Sequence, residues 1–448
     1  MVEAFHEDLR NTIRVSPHTA YRHYEEIHSY SDMWKMIRHF NHAIGGRSRC
    51  RIATLCAKSF KTYCAIFATI LTGNTWVPLS PLTPPDRTVR MLEIAEPTVL
   101  IVHGSIDPII ASHARKLGIE VIDIADPDTL LGSLDLASVD VRPDDFAMIY
   151  FTSGTTGMPK GVPVTQDSLA LNVANILSLV AIGQKEVFAD YHDLSFVISV
   201  PILFPCAMMQ GAISPAVHER DQLMPVAHMV RNQVSTLITV PSTIVRILKI
   251  LRGTKLPDLN VLISCGEPLH LDVLESSLNT LCPRNMYNFY GSTEVGPWTF
   301  HHPCSLSDIE RFREFGYLPI GKPIEGNEIR LTDEDELVVA GRQVSPGYLM
   351  GVGAGQFVEE NDKRWYYTGD KVSLYQDVYI CKGRLDSQVK VSGQRVELLD
   401  VESHLRYLDG VEGAVCLTRG SDETRHIVAI LLSSRDFSTT EVRDHLAK

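Results

Sequence analysis

Short β-branched runs alternate with helix-length stretches as far as about residue 320, and this alternation constrains the fold more than any other feature. Arg51-Ile-Ala-Thr-Leu, Thr98-Val-Leu-Ile-Val, Met148-Ile-Tyr-Phe, Thr236-Leu-Ile-Thr-Val and Val261-Leu-Ile-Ser read as buried strands, and Lys58–Thr72 and Ser242–Arg252 carry helical patterns. Strands alternating with helices predict layered α/β architecture with largely parallel sheets. Beyond residue 320, Gly321-Lys-Pro-Ile, Glu328-Ile-Arg-Leu-Thr, Glu336-Leu-Val-Val-Ala and Arg364-Trp-Tyr-Tyr-Thr are short strand-like runs between polar turns. They predict an antiparallel, β-barrel-like subdomain. A second break falls at Gly383-Arg384-Leu-Asp386, and a helix around Leu398–Tyr407 and a strand Ala414-Val-Cys-Leu-Thr follow it. The expected fold is a multidomain α/β chain, with a large N-terminal domain over 1–384 and a small C-terminal α/β domain over 385–448. At 448 residues the chain is too long for one compact core. It has no internal repeat and no low-complexity tract.

The 42 basic and 54 acidic residues leave a net charge of −12. Nucleic-acid backbones are bound by clustered Lys and Arg that displace counterions, and the chain has no such tract, so no nucleic-acid partner is expected. Nine cysteines are scattered without a C-x-x-C pair, which fits reduced thiols in a cytoplasmic protein. The first eight residues, Met-Val-Glu-Ala-Phe-His-Glu-Asp, are charged and lack an apolar signal core. The longest apolar stretches, such as Phe196–Gln210, carry prolines and are too short for a bilayer. Secretion and membrane insertion are not expected, and the chain is expected to be a monomer.

Ala147-Met-Ile-Tyr-Phe is strand-like and empties into Thr152, Ser153, Gly154, Thr155, Thr156 and Gly157, followed by Pro159, Lys160 and Gly161. Glycines let backbone N–H groups approach phosphate oxygens, Ser and Thr hydroxyls add donors, and a lysine adds a point charge. The spacing is not that of a Walker A loop, which needs Gly-Lys-Ser/Thr, and no G-x-G-x-x-G stands near a strand. Taken alone the run could be a flexible turn. Its order, Thr-Ser-Gly-Thr-Thr-Gly-x-Pro-Lys-Gly, resembles the signature of the adenylate-forming superfamily: acyl-CoA synthetases, luciferases and the adenylation domains of nonribosomal peptide synthetases.

Other stretches carry the resemblance from about residue 50 to the end. Leu71-Thr-Gly-Asn-Thr-Trp-Val-Pro-Leu-Ser80-Pro-Leu-Thr-Pro-Pro-Asp-Arg87 is similar to a segment of peptide-synthetase adenylation domains, and is equally a helix end with a proline-rich turn. Asn288-Phe289-Tyr290-Gly291-Ser-Thr293-Glu294 resembles the family's adenine and magnesium station. The resemblance implies that Tyr290 stacks on adenine, Asn288 reads its amino edge, Thr293 touches the α-phosphate and Glu294 holds Mg²⁺. It also places Gly266, Glu267, Phe289 and Gly291 near the nucleotide. Tyr367-Thr-Gly-Asp370 resembles the aspartate that accepts both ribose hydroxyls, and Gly383-Arg384-Leu-Asp386 resembles the hinge motif. Arg384 would reach ribose or phosphate, and Asp386 would be the pivot of a mobile small domain. Thr152, Lys160, Glu294 and Arg384 are thereby the candidate catalytic groups, with ATP and Mg²⁺ as cofactors.

His192-Asp193-Leu194 stands where amino-acid-activating members carry an aspartate for the substrate's ammonium. A buried carboxylate selects strongly, because an acid lacking the amine leaves it unpaired. His192 occupies the family's aromatic gate, and a histidine there is a departure. The implied acid pocket is Asp193, Leu194, Val197, Thr239, Ile263, Cys265, Phe289 and Pro297. Phe289 would occupy volume that a large substrate side chain needs. Ser264-Cys265-Gly266-Glu267-Pro268 resembles D-alanine–carrier-protein ligases, so glycine or alanine is the expected acid. Glycine-activating ligases that feed lipid A modification share this likeness. The implied reaction makes aminoacyl-AMP and passes the acyl group to the phosphopantetheine thiol of a separate acyl or peptidyl carrier protein. Two alternatives stay open: an acyl-CoA synthetase, and a non-catalytic AMP-binding regulator.

The family's closing lysine lies in a Pro-x-x-x-x-Gly-Lys context near the end of the small domain. Lys448 lacks that context and is not assigned the role. The sequence is expected to be a truncated or partial stretch of a longer chain, or else a protein without the lysine. Because such a donor is worth about 10²–10³ in rate, these 448 residues are expected to bind ATP and acid but adenylate slowly.

Overall fold

Every residue of helix Phe60–Leu71 except Lys61 is buried. A helix apolar on all sides must be covered on all sides. It packs against helix Tyr30–Ala43 on one flank and strands Arg51–Leu55 and Thr75–Leu79 on the other. Ser59 caps it by accepting from the Thr62 N–H. The computed structural model describes residues 1–137, 139–152, 158–251, 256, 258–351, 354–385, 388–391, 394–405, 408–420 and 424–446.

Two sheets flank the main core. The first has six strands in the order Glu120–Asp123, Val99–Val102, Arg51–Leu55, Thr75–Leu79, Phe146–Thr152 and Lys160–Thr165. All pairs are parallel except the last. The second has nine strands in the order Lys322–Pro323, Gly296–Pro303, Asn285–Ser292, Val261–Cys265, Thr236–Thr239, Val187–Asp190, Ala212–Pro215, Thr19–His23 and Glu26–Ser29. The six from Asn285–Ser292 to Thr19–His23 run parallel. Parallel strands are covered on both faces, and their period of two shows here. Val99 and Ile101 face the core shared by both sheets, while Leu100 and Val102 face a separate cluster under helix Pro85–Ala95.

The unit beyond residue 320 is antiparallel, as the sequence predicts, but it is an open five-stranded sheet and no closed barrel forms among the described residues. Two facts account for this. Lys363–Tyr375 is 13 residues long and serves three partners, Glu336–Gly341, Phe357–Glu360 and Val378–Arg384. Lys322–Pro323, expected in this unit, instead adds to the edge of the nine-stranded sheet. Past Arg384 come the hairpin Gln388–Val391/Gln394–Glu397, helix Leu398–Leu405, the strand pair Val411–Arg419/His426–Ser433 and helix Thr439–Leu446.

Helices Val2–Val15 and Tyr30–Ala43 are not among the elements expected from the sequence. Both have a signal: Val2, Phe5, Leu9 and Ile13 recur at helical spacing, and Ser29 with Asp32 forms a capping box. None of the nine cysteines is in a disulfide. Among the described residues no helix is long and apolar enough to cross a membrane.

Phe204 is fully buried, edge-on to Phe5 at 6.2 Å and to Phe67 at 5.9 Å. It ties the N-terminal helix to the shared core. Phe204→Ala is expected to lower stability by about 3–5 kcal/mol, read from urea unfolding curves.

Candidate active site

Strand Phe146–Thr152 pairs antiparallel with Lys160–Thr165, so Thr152 lies opposite Lys160 where the hairpin opens. The loop residues Ser153, Gly154, Thr155, Thr156 and Gly157 lie outside the described residues, as does Asp386. Lys160 is buried rather than extended into solvent. Its Nζ sits 4.8 Å from the Tyr348 ring centroid and 3.5 Å from Gln356 Oε1. The Tyr348 hydroxyl lies 3.0 Å from Glu294 Oε1 and 2.9 Å from Gln356 Oε1. Carrying one proton, it can donate to only one of the two at a time. Tyr348 therefore joins the loop lysine to the Glu294 carboxylate. The backbone does the same: Ser345 N donates to Glu294 O at 2.8 Å, and Ser345 Oγ donates to Pro163 O on the hairpin strand at 2.8 Å.

Glu294 and Thr293 occupy the turn between strands Asn285–Ser292 and Gly296–Pro303. Gly291 permits that turn, because a Cβ there would come within 2.4 Å of the Pro297 carbonyl oxygen. Along Asn285–Ser292 the side chains alternate between two environments. Phe289 enters the shared core and stacks on Trp298 at 4.1 Å. Tyr290 enters the cluster of the antiparallel unit, and its hydroxyl donates to Asp370 Oδ2. Burial and the Asp370 charge push that phenol far above its ordinary range, so it stays a donor. Arg384 Nη1 donates to Asp370 Oδ1 at 2.9 Å. Both Asp370 oxygens thus have partners within the chain, and a ribose would share or displace them.

Among the described residues, the buried Thr152 Oγ1, Ser264 Oγ, Ser292 Oγ and Asn288 Oδ1 have no hydrogen-bond partner. Asn288 Nδ2 does donate to Pro319 O at 2.9 Å. An unsatisfied buried polar atom costs about 1–3 kcal/mol. The Asn288 oxygen is an acceptor, the type that an exocyclic amine requires. Glu267 is engaged elsewhere, accepting from Ser242 N at 3.0 Å and Ser242 Oγ at 3.2 Å, at the start of helix Pro241–Leu251. Gly266 adopts a left-handed φ of +81° between strand and Glu267.

The acid-pocket candidates follow from strand register. Ile263 and Cys265 lie on Val261–Cys265, Cys265 is the register partner of Phe289, and Thr239 ends the neighbouring strand. Leu194, Ile263, Cys265 and Phe289 share one core cluster, and Val197 packs against it. His192 Nε2 lies 3.1 Å from Thr239 Oγ1. Asp193 is half-buried and accepts from Ser80 Oγ at 2.7 Å and from Ser195 N at 2.9 Å. No described cation pairs with it.

Tyr348, Gln356 and the buried group beside His192 are not among the residues expected from the sequence. In that group Lys58 Nζ meets Asp190 Oδ1 at 3.1 Å, and Tyr63 donates to Asp190 Oδ2 at 2.6 Å. Its one sequence signal is Asp190 in an otherwise apolar strand. Burial, reinforced by the Lys58 ammonium, lowers the His192 pKa to about 4.

Unsatisfied polar atoms on Thr152, Ser292 and Asn288 thus lie on the strands that also lead to a buried lysine, a carboxylate and a carboxylate–arginine pair. The chain belongs to the AMP-binding enzyme family. The family profile matches residues 10–349, so the likeness begins well before residue 50. The chain is 28% identical to the D-alanine–D-alanyl carrier protein ligase of Staphylococcus aureus over 84% of this chain and 76% of that protein. It is 27% identical to indigoidine synthase of Dickeya dadantii over 98% of this chain, and spans 31% of that protein's length. The adenylation domain AlmE of Vibrio cholerae, solved with glycyl-adenosine-5'-phosphate, superposes with a TM-score of 0.82 at 22% identity, covering 99% of this chain and 91% of that one. A fused adenylation–PCP di-domain, NpsA-ThdA of Klebsiella oxytoca, gives 0.81 at 17% identity, covering all of this chain and 90% of that one.

The protein is an adenylate-forming enzyme, an AMP-forming ligase. Enzymes of this kind use ATP and Mg²⁺. Among the described residues no group of three or more His, Cys, Asp or Glu could hold a metal ion. A single carboxylate such as Glu294, shared with phosphate oxygens and water, is the usual surrounding of Mg²⁺.

Two outcomes are expected. Tyr348→Phe removes the donor shared by Glu294 and Gln356 and should raise the KM for Mg·ATP by about tenfold, with the KM of the acid unchanged, in pyrophosphate exchange. His192 should remain neutral down to about pH 4, against an ordinary value near 6.5. Below pH 6.5 the unfolded chain then takes up a proton that the folded chain refuses, so this residue withdraws stability as pH falls from about 6.5 to about 4. In His192→Phe, urea midpoints should decline less steeply across that range than in wild type.

Proposed function

We propose that this enzyme activates a small amino acid, glycine or alanine, as aminoacyl-AMP and transfers it to the phosphopantetheine thiol of a carrier protein. The observation that carries the reading is Asp193: a half-buried carboxylate, held by Ser80 and Ser195, with no described cation. An ammonium is the natural counterpart of such a group. The sequence relative that activates D-alanine for a carrier protein supports the amino-acid class. Phe289, packed against Trp298 beside Cys265, supports a small side chain.

In the proposed first step a carboxylate oxygen of the amino acid attacks the α-phosphorus, the bond to the β-phosphate oxygen breaks, and pyrophosphate leaves. Asp193 holds the ammonium, and His192, neutral and anchored by Thr239, borders the carboxylate. Thr152, Lys160 and the loop 153–157 hold phosphate oxygens. Asn288 Oδ1 accepts from the adenine amine, Tyr290 lies against the base, Thr293 reaches the α-phosphate, and Asp370 with Arg384 takes the ribose. Mg²⁺ at Glu294 supplies charge neutralisation at the phosphates. In the second step the thiol sulfur attacks the acyl carbon, AMP leaves, and the thiol proton passes to solvent. Positioning and charge stabilisation do most of this work. We assign residues 1–384 to the adenylation domain and 385–448 to a small domain that turns about Asp386.

Pyrophosphate exchange across all amino acids tests the reading, with glycine or alanine expected to give the strongest signal. A bulky amino acid in first place would remove the role given to Phe289. Asp193→Ala should lose amino-acid activation by about 10²-fold, as expected for a charged pair left incomplete. Thioester formation on free CoA and not on a carrier protein would turn the assignment to an acyl-CoA synthetase.

A further inference from the structure

Asp193 and the residue that orients it come from different sheets. Asp193 follows strand Val187–Asp190 of the nine-stranded sheet, and Ser80 follows strand Thr75–Leu79 of the six-stranded sheet. Their contact, Ser80 Oγ to Asp193 Oδ2 at 2.7 Å, is a hydrogen bond between segments that follow strands of the two sheets. Its direction is determined by proton counting. The Leu82 N–H points to Ser80 Oγ at 3.3 Å and occupies a lone pair of that oxygen. An ionised carboxylate can only accept, so the single hydroxyl proton is directed at Asp193.

The backbone holds Ser80 in place. Thr83 N donates to Ser80 O at 3.1 Å and closes a turn with Pro81 at its second position, where the ring's fixed φ is suited to the bend. Pro84 and Pro85 follow at the start of helix Pro85–Ala95. A proline-rich stretch that could be a mere connection is therefore a rigid mount for one hydroxyl. On the other side, Ser195 N holds Asp193 Oδ1 at 2.9 Å. With one donor on each oxygen, the carboxylate plane cannot rotate freely about Cβ–Cγ, and its remaining lone pairs keep one direction. Ser195 alone would leave the second oxygen unheld.

We propose that Ser80 is a positioning residue that makes Asp193 selective for an α-ammonium, so that preference for an amino acid over its deaminated counterpart is set jointly by the two sheets. This rests on the reading of Asp193 as the ammonium partner.

The test uses binding, independent of turnover. Dissociation constants of glycyl- and alanyl-sulfamoyl-adenosine, of the matching acetyl and propionyl compounds lacking the amine, and of AMP are measured by calorimetry on the full chain. The wild type is expected to prefer the aminoacyl compounds. Ser80→Ala should reduce that preference by about tenfold, the loss for one hydrogen bond to a charged group, with AMP binding within about twofold. Ser80→Thr, which keeps the hydroxyl, should restore it. Ser80→Cys, close in volume and a weak donor, gives the same comparison should the alanine chain not fold. In an Asp193→Ala background, Ser80→Ala should add nothing, because the two act through one carboxylate. Preference kept in Ser80→Ala but lost in Asp193→Ala overturns the role of Ser80 and leaves the function standing. Preference kept in both, or lost in Ser80→Ala alone, removes the Asp193 reading and this inference with it.

Discussion

The parallel register of strands Thr236–Thr239, Val261–Cys265 and Asn285–Ser292 is the constraint on which the rest of the site depends. It sets Cys265 beside Phe289 and Ser264 beside Asn288, and it brings Thr239 to the same end of the sheet. Side chains on a strand alternate, so a slip of one residue would exchange the two environments, sending Phe289 toward the antiparallel unit and Tyr290 into the core shared by the two sheets. With the register held, one face of the strand packs against Trp298 while the other delivers Tyr290 to Asp370. In the proposed function this single eight-residue strand serves the acid pocket on one side and the nucleotide site on the other.

The carboxylates around the site differ in what already satisfies them. Asp190 is fully buried against Lys58 and Tyr63 and has the character of a structural pair. Asp370 is paired with Arg384. Glu294 is tied through Tyr348 to the lysine of the phosphate hairpin. Among the described residues, Asp193 accepts from the neutral donors Ser80 Oγ and Ser195 N. Burying a charge is costly unless it is paired, and it is on this ground that the proposed function gives Asp193 the ammonium of the substrate.

Much of this is legible along the chain. The strand–helix alternation predicts the parallel sheets, because a parallel strand covered on both faces must be apolar throughout. The loop between Thr152 and Lys160 and the segment from Asn288 to Glu294 point to a nucleotide site through their resemblance to the adenylate-forming superfamily. The antiparallel unit expected beyond residue 320 is present as an open sheet, and Lys322–Pro323 pairs instead with the edge of Gly296–Pro303. Tyr348 and Gln356 are invisible in the sequence, since an isolated tyrosine or glutamine carries no spacing signal.

By itself the sequence determined the layered α/β class, a local property of residue type and spacing, and through its resemblance to the adenylate-forming superfamily it pointed to that chemistry and to the charged groups that would serve it. Only the tertiary structure decided which of those groups are already paired. That depends on contacts such as Ser80 with Asp193, Lys58 with Asp190 and Tyr348 with Glu294, which join residues 113, 132 and 54 positions apart. Such contacts arise from how two sheets pack, and no local pattern encodes them.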